Sequence, residues 1–295
     1  PGSTFKLIVL YSALVNKIIK PNSAIHCSSN IEYGGRNFYC WCHKKKTGCW
    51  ATKSHTRNVG PELALAQSCD GFFYELAKRI GIENIVETAR NFGFGSKSGL
   101  NLKGEKDGLV PNKLWKKKTY KQSWKIGETM ITGVGQGFLT TTPIQLAVMT
   151  AMIANNGKRI FPSIYKNIDQ GNINDNQVFT TQTLYQKKFF SLIKSGMFSA
   201  VNKPFGTAYG SRTTQPVFAG KTGTVQVRTI SKEERELGII PNKELPIKQR
   251  DHALFVGFAP YKNPKIALAV VVEHGGSGSK VAAPIAKKIF KKALP

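Results

Sequence analysis

Three short stretches hold residues that could make and break an acyl bond. The first is Ser3 with Lys6 in Pro1-Gly2-Ser3-Thr4-Phe5-Lys6. Residues three apart on a helix share a face, one turn from each other. A serine hydroxyl is a poor nucleophile alone, and a lysine kept neutral beside it can serve as its base. The second is Lys221-Thr222-Gly223-Thr224. Its cation and hydroxyls can hold a carboxylate, its glycine lets a substrate backbone come close, and an edge strand can pair with an extended peptide. The third is Ser68-Cys69-Asp70. A hydroxyl at Ser68 can relay a proton between Lys6, Lys221 and a leaving amine.

Each stretch is weak taken singly. The Ser–Lys spacing recurs at Ser191/Lys194 and Ser277/Lys280, and Lys-(Thr/Ser)-Gly recurs at Lys46, Lys97 and Lys194. Ser68 reads equally well as a helix cap, and any one Ser–Lys pair as a solvated lysine near a helix end. Only Lys221 sits in an alternating apolar strand, with Val217 and Ala219 before it and Val225 and Val227 after it.

The elements that must position these residues follow from periodicity. Residues 3–18 are apolar nearly all round, the mark of a helix buried at the centre of a domain. Burial there would desolvate Lys6 and favour its neutral form. Residues 20–60 lack periodicity and read as a long loop. Residues 61–81 read as two helical pieces meeting at Ser68-Cys69-Asp70, followed by a short helix over 82–92. Residues 93–135 read as mostly irregular. Thr142-Pro143-Ile144-Gln145 is a capping box opening a helix that runs to about Asn155. An amphipathic helix covers 184–201. Strands follow at 217–227, 252–259 and 265–273, and a helix at 281–293 closes the chain. Helices first, then a three-strand meander and a helix, make an α+β arrangement.

The chain has 295 residues, 41% hydrophobic and 20% charged, which fits a globular fold. No apolar run reaches transmembrane length and no signal peptide is visible. The first residue is Pro, so the chain reads as a piece of something longer. Net charge is +26. The basic residues are scattered lysines without the aromatic-and-arginine pattern of a nucleic-acid reader, so a solvated basic surface is expected and no nucleic-acid partner. The five cysteines (Cys27, Cys40, Cys42, Cys49 and Cys69) are clustered and odd in number, a poor disulfide framework. With His43 and His55 nearby they suggest a metal site, the alternative being free thiols in a flexible loop.

In chain order, S-x-x-K, S-x-D and K-T-G-T match the three boxes shared by penicillin-binding proteins and serine β-lactamases. The chain resembles the transpeptidase domain of class B penicillin-binding proteins of the elongation type. The resemblance runs through nearly all 295 residues. It includes Gly135-Gln136-Gly137 with Thr142-Pro143-Ile144-Gln145 downstream, Asp251-His252 leading into Phe255–Pro260, and Glu273-His274-Gly275.

The resemblance implies a penicillin-binding transpeptidase-like fold, a helical region plus an antiparallel sheet. It implies a D,D-transpeptidase that cross-links peptidoglycan stem peptides and is stalled by penicillin and other β-lactams. Ser3 would be acylated and Lys6 would be its base. Ser68 would pass the proton to the leaving D-alanine, with Asp70 closing the central box. Lys221, Thr222, Gly223 and Thr224 would hold the terminal carboxylate, and the backbone N–H groups of Ser3 and Thr224 would form the oxyanion hole. The box ends in Asp70 rather than Asn, as in elongation-type members. By the same resemblance a structural Zn²⁺ would be bound by Cys27, Cys40, His55 and Cys69 within an inserted loop at 20–60, with Cys42, His43 or Cys49 able to replace one of them. The expected setting is the bacterial inner membrane with this domain facing the periplasm, beside a glycan polymerase partner. In the family a helix and two sheet strands precede the nucleophile, so residues 1–295 read as a transpeptidase domain lacking its first elements, its sheet left with an open edge. A serine β-lactamase or penicillin sensor shares the three boxes, but Gly135–Gln145 and the lack of an obvious deacylating carboxylate argue against it. A non-catalytic remnant is the other alternative.

Overall fold

The computed structural model describes residues 1–42, 56–100, 102–164, 187–231, 233–234 and 238–294. A 3-10 turn, Gly2–Phe5, leads into helix α1, Lys6–Val15. The expected helix over 3–18 is therefore split at its start and shorter at its end, where Lys17 adopts a left-handed conformation (φ 57°). Every residue from Lys6 to Leu14 is buried. Tyr11 meets Phe92 and Phe190 at ring-centroid distances of 5.4 and 4.8 Å, and Phe5 meets Phe94 at 5.8 Å. A fully buried side chain of this kind contributes roughly 1.5–3 kcal/mol, so α1 is an axis around which the other helices collect.

The stretch expected to be a long loop carries four short strands, β1 (Ile25–Ser28), β2 (Asn30–Tyr33), β3 (Arg36–Tyr39) and β4 (Thr56–Val59). β2 pairs with β3 and β1 with β4, both antiparallel. Gly34 and Gly35, with φ of 60° and 70°, form the tight turn between β2 and β3 that only positive-φ residues make cheaply. Helices α2 (Pro61–Ala66), α3 (Asp70–Ile80) and α4 (Ile82–Asn91) follow as read.

The region expected to be irregular holds two further helices, α5 (Lys113–Tyr120) and α6 (Ile126–Gly133). Asn112 caps α5 by accepting from the Trp115 N–H at 2.8 Å. Helix α7 (Pro143–Ala154) opens on the expected capping box. Thr142 Oγ1 accepts from Gln145 N, and Gln145 Oε1 accepts from Thr142 N at 3.0 Å. Helix α8 is Lys187–Asn202.

The sheet is β5 (Ala219–Val225), β6 (His252–Ala259) and β7 (Ile266–Val272), antiparallel in that order. Strand β6 is buried on both faces. Leu254, Val256 and Phe258 belong to the core with α1 and α7, whereas Ala253, Phe255 and Ala259 pack with Ala283, Ala286 and Phe290 of α9 (Ala283–Ala293). The sheet is thus a middle layer between the helical region and the closing helix. Among the described residues no strand pairs with the outer edge of β7, and no helix is long and apolar enough to cross a membrane.

Candidate active site

The site begins at the end of α2. The chain leaves that helix through Ser68, a non-glycine residue with φ 56°. Ser68 N donates to Leu65 O at 3.1 Å and Cys69 N to Ala64 O at 2.9 Å, which closes the helix in a left-handed cap. Helix α3 starts at once, with Cys69 Sγ accepting from Phe72 N at 3.4 Å. A left-handed residue costs of order 1 kcal/mol or more and persists only where its surroundings fix it. Here the αL residue at the junction places both its hydroxyl and its carbonyl against α1.

Lys6 receives them. Its Nζ donates to Ser68 O at 2.9 Å, to Ser68 Oγ at 3.1 Å and to Asp70 Oδ1 at 2.6 Å, while Lys6 itself is 0% exposed. Nζ also lies 5.4 Å from the centre of the Phe73 ring. The burial expected of Lys6 is present. Three acceptors, one of them a carboxylate, surround its Nζ there.

The second stretch, Lys221–Thr224, arrives on β5. Its residue Lys221 pairs in register with Val256 of β6 and is also 0% exposed. Burial first, and then the charge of Lys6, push the Lys221 ammonium well below the usual lysine range, against an opposing pull from Asp70. The Asp70 carboxylate thus acts electrostatically on both buried lysines, and Lys221 Nζ donates to Thr222 O at 3.1 Å. Thr222 Oγ1 donates to or accepts from Thr207 Oγ1 at 2.9 Å, and Thr224 is exposed with its Oγ1 accepting from Gly278 N at 3.4 Å.

Ser3, half-buried, lies in the turn that β5 runs beside. A Cβ at Gly223 would come within 3.1 Å of Thr4 Cγ2 and 3.3 Å of Pro1 O, and one at Gly2 within 3.2 Å of Thr224 O. Gly2 N donates to Gly135 O at 2.9 Å, and a Cβ at Gly135 would fall 1.9 Å from Gly2 O. Gly135, with φ 77°, therefore has no room for any side chain. Gln136 Nε2 donates to Thr224 O at 3.5 Å, joining the same segment to β5. The turn of Ser3, the box of Ser68 and the strand of Lys221 meet at one place. Of the other Ser–Lys pairs, Ser191/Lys194 lies on α8, whereas Ser277/Lys280 flanks Gly278, whose N–H reaches Thr224 Oγ1 beside β5.

A model of the penicillin-binding protein transpeptidase domain matches residues 1–291. The chain belongs to the penicillin-binding transpeptidase family. It is 35% identical over 301 aligned residues to a peptidoglycan D,D-transpeptidase MrdA of Salmonella typhimurium, covering 98% of this chain and 45% of that protein. It superposes on Pseudomonas aeruginosa PBP2 in complex with WCK 5153 with a TM-score of 0.82 at 36% identity, covering 99% of this chain and 60% of that one. The PBP2 of Helicobacter pylori, solved in complex with MreC, superposes with a TM-score of 0.81 at 35% identity, covering 99% and 49%. The chain spans less than half the length of the curated relative.

The cysteines of this transpeptidase-family chain converge behind the box. The Sγ atoms of Cys27, Cys40 and Cys69, all buried, lie within 4.8 Å of one another. Cys27 and Cys69 are in direct sulfur contact, yet their Cα atoms are 7.6 Å apart, beyond the span that a disulfide normally bridges. Burial, and Asp70 nearby, push the Cys40 thiol up, while the backbone N–H groups of Gly71 and Cys42 donate toward it and act the other way. Thiolates of a tetrahedral zinc site sit about 3.8 Å from one another, given Zn–S bonds of roughly 2.3 Å. Three soft donors converging on one point match the donor chemistry of such an ion, while Cys27 and Cys69, in direct contact, stand closer together than its ligands would. His55, the expected fourth ligand, lies outside the described residues, as do His43 and Cys49. Cys42 is buried two residues beyond Cys40.

Two contributors were not read from the sequence. Trp41 N donates to Asp70 Oδ2 at 2.9 Å and Trp41 Nε1 to Gln67 O at 3.0 Å, so this tryptophan fixes the carboxylate and the helix end together. Its position between Cys40 and Cys42 was the available signal. Thr207, the partner of Thr222, carried none, being joined to β5 only by the fold.

Proposed function

We propose that the chain is the catalytic part of a peptidoglycan D,D-transpeptidase that works through a Ser3 acyl-enzyme. The observation that carries the reading is the buried Lys6–Ser68–Asp70 cluster, with Lys221 fully buried beside it and β5 running past the Ser3 turn. The names of the relatives reported above support the same activity.

In this reading a stem peptide lies along the edge of β5, its terminal carboxylate held by Lys221, Thr222 and Thr224 across Gly223. Ser3 Oγ attacks the carbonyl between the two terminal D-alanines, and the backbone N–H groups of Ser3 and Thr224 receive the oxyanion. Lys6 takes the Ser3 proton. For that, Lys6 first passes one of its own protons to Asp70 along their hydrogen bond. Ser68 Oγ then delivers its proton to the departing D-alanine amine and takes a replacement from Lys6. An amine from a second stem peptide attacks the acyl-enzyme, forms the cross-link and frees Ser3. Penicillin, taken as a donor mimic, would stop at the acyl stage.

Cys27, Cys40 and Cys69, with His55, would hold a structural Zn²⁺ in the same reading. When bound it would tie the Ser68–Asp70 junction to β1 and the segment after β3 through Cys69, fixing the box from behind. By resemblance the complete protein sits in the inner membrane with this domain in the periplasm, next to a glycan polymerase.

Intact-mass analysis after incubation with a labelled penicillin tests the acyl chemistry. One adduct per chain is expected, absent in Ser3→Ala. An adduct that persists in Ser3→Ala would remove Ser3 from the mechanism, and an adduct released within seconds would favour a β-lactamase instead.

A further inference from the structure

A shelf beside the site carries chemistry that the catalytic cluster does not use. Residues 113–125 contain six lysines and no acid. Lys116 is buried in an ion pair with Glu128, whose other oxygen accepts from Lys125 N at 2.7 Å. Among the described residues Glu83 reaches the Lys113 backbone, at 3.3 Å. Lys117, Lys118, Lys121 and Lys125 are left as exposed cations. Among them lies an aromatic cluster. Phe138 meets Trp115 at 5.2 Å and Tyr120 at 5.3 Å, and Trp115 meets Tyr120 at 5.6 Å. Tyr120 is 48% exposed and the adjoining Leu114 72%.

The shelf adjoins the groove. Phe138 follows Gly135, which packs on Gly2, by three residues, a reach of at most about 10 Å. Leu109 and Thr140 exchange backbone hydrogen bonds at 2.9 and 3.0 Å, tying the base of α5 to the same segment. The α5 cap at Asn112 and the buried Lys116–Glu128 pair hold the shelf in one shape. Solvated lysines alone need no ligand. Exposed aromatic surface among them, beside a groove, marks a surface that takes up both apolar faces and negative charge.

We propose that this shelf binds the acceptor glycan strand, with sugar rings on Tyr120 and neighbouring stem-peptide carboxylates on Lys117 and Lys121. The inference rests on the transpeptidase reading. The donor lies along β5, so the acceptor amine must enter from another side of Ser3, and the segment Gly135–Phe138 leads there from the shelf. A strand of N-acetylated sugars bearing carboxylate-rich peptides matches both features, whereas a plain polyanion matches only the lysines.

The test is titration of the full chain with labelled, uncross-linked glycan strands bearing stem peptides, and with polyglutamate as a charge-only probe. Lys117→Glu/Lys121→Glu is expected to weaken strand binding at least tenfold and to flatten its salt dependence. Tyr120→Ala should weaken strand binding several-fold while leaving polyglutamate unaffected. Penicillin acylation should stay within twofold in every variant, which also checks folding, and Lys→Gln replacements repeat the test if charge reversal unfolds α5. Unchanged strand affinity in either variant, or polyglutamate bound as tightly as strands, overturns the proposal. If the parent chain takes no penicillin, the transpeptidase reading falls, while the titration still decides whether the shelf binds strands.

Discussion

Replacing Asp70 with Asn tests whether the buried cluster is held by charge. Lys6 Nζ and Asp70 Oδ1 are 2.6 Å apart, with the lysine side chain 0% and the aspartate 15% exposed. At an effective dielectric of about 20, that separation corresponds to roughly 6 kcal/mol of gross attraction, most of it offset by desolvation of the two ions. The net value of the pair is therefore small, but breaking it is costly, because Lys6 has no route to water. Asparagine can still accept from Lys6 with its one oxygen, yet its NH₂ then faces the Trp41 N–H that Asp70 Oδ2 now accepts. Loss of one partner of a buried pair costs about 3–5 kcal/mol, and the residual acceptor places Asp70→Asn near the lower figure. In a chain of this size about 3 kcal/mol corresponds to a fall in Tm of roughly 6–12 °C. A double-mutant cycle with Lys6→Met isolates the interaction. The double variant should be more stable than Asp70→Asn alone, with a coupling of about 2–3 kcal/mol in urea unfolding. Additive effects in the cycle, or an unchanged midpoint for Asp70→Asn, would refute an ion pair as the organiser of this site.

Other outcomes follow from the same geometry. Gly135→Ala should destabilise the chain by about 3 kcal/mol or more, since a positive φ and a carbonyl 1.9 Å from the new Cβ cannot both be relieved locally. Circular dichroism melts read this, and a change under 1 kcal/mol would contradict the packing. Lys221 carries a folded-state value depressed below 10.5, so between that value and 10.5 the unfolded chain binds a proton the folded chain does not. Stability should therefore rise with pH through that window in the parent relative to Lys221→Met, and parallel curves for the two would argue against the burial. Cys69→Ser should lower bound zinc, measured by elemental analysis, and lower Tm as well. Equal metal content before and after would discount Cys69 as a ligand.

Much of this arrangement was legible before any coordinates. The all-apolar run after Lys6, the capping box at Thr142–Gln145 and the apolar alternation around Lys221 in β5 all have local causes, and each appears where its cause put it. The segments misread as loops have weaker local causes. The β2–β3 turn rests on Gly34-Gly35 between two four-residue strands too short to show a period. Helix α5 is lysine-rich and takes its stability from the Asn112 cap and from aromatic packing against Phe138, 18 residues past its end. The Lys6 environment divides the same way. Its burial follows from its own helix, but its carboxylate is 64 residues away and the tryptophan that orients that carboxylate is a further 29 back.

Strand β6 carries none of the proposed catalytic residues, yet it sets where they fall. Its alternate side chains enter two different cores, one lined by α1 and α7 and the other by α9. A slip of one residue would exchange the two sets, driving Phe255 into the space shaped for Leu254 or Val256 and emptying the one it left. Lys221 is locked opposite Val256 by this strand, so the alignment of the lysine with Lys6 is indexed by hydrophobic volume on both sides of the sheet. Substitutions that alter the size of Phe255 or Ala286, a full layer away from Ser3, should thus surface as changes in acylation rate before they surface as unfolding.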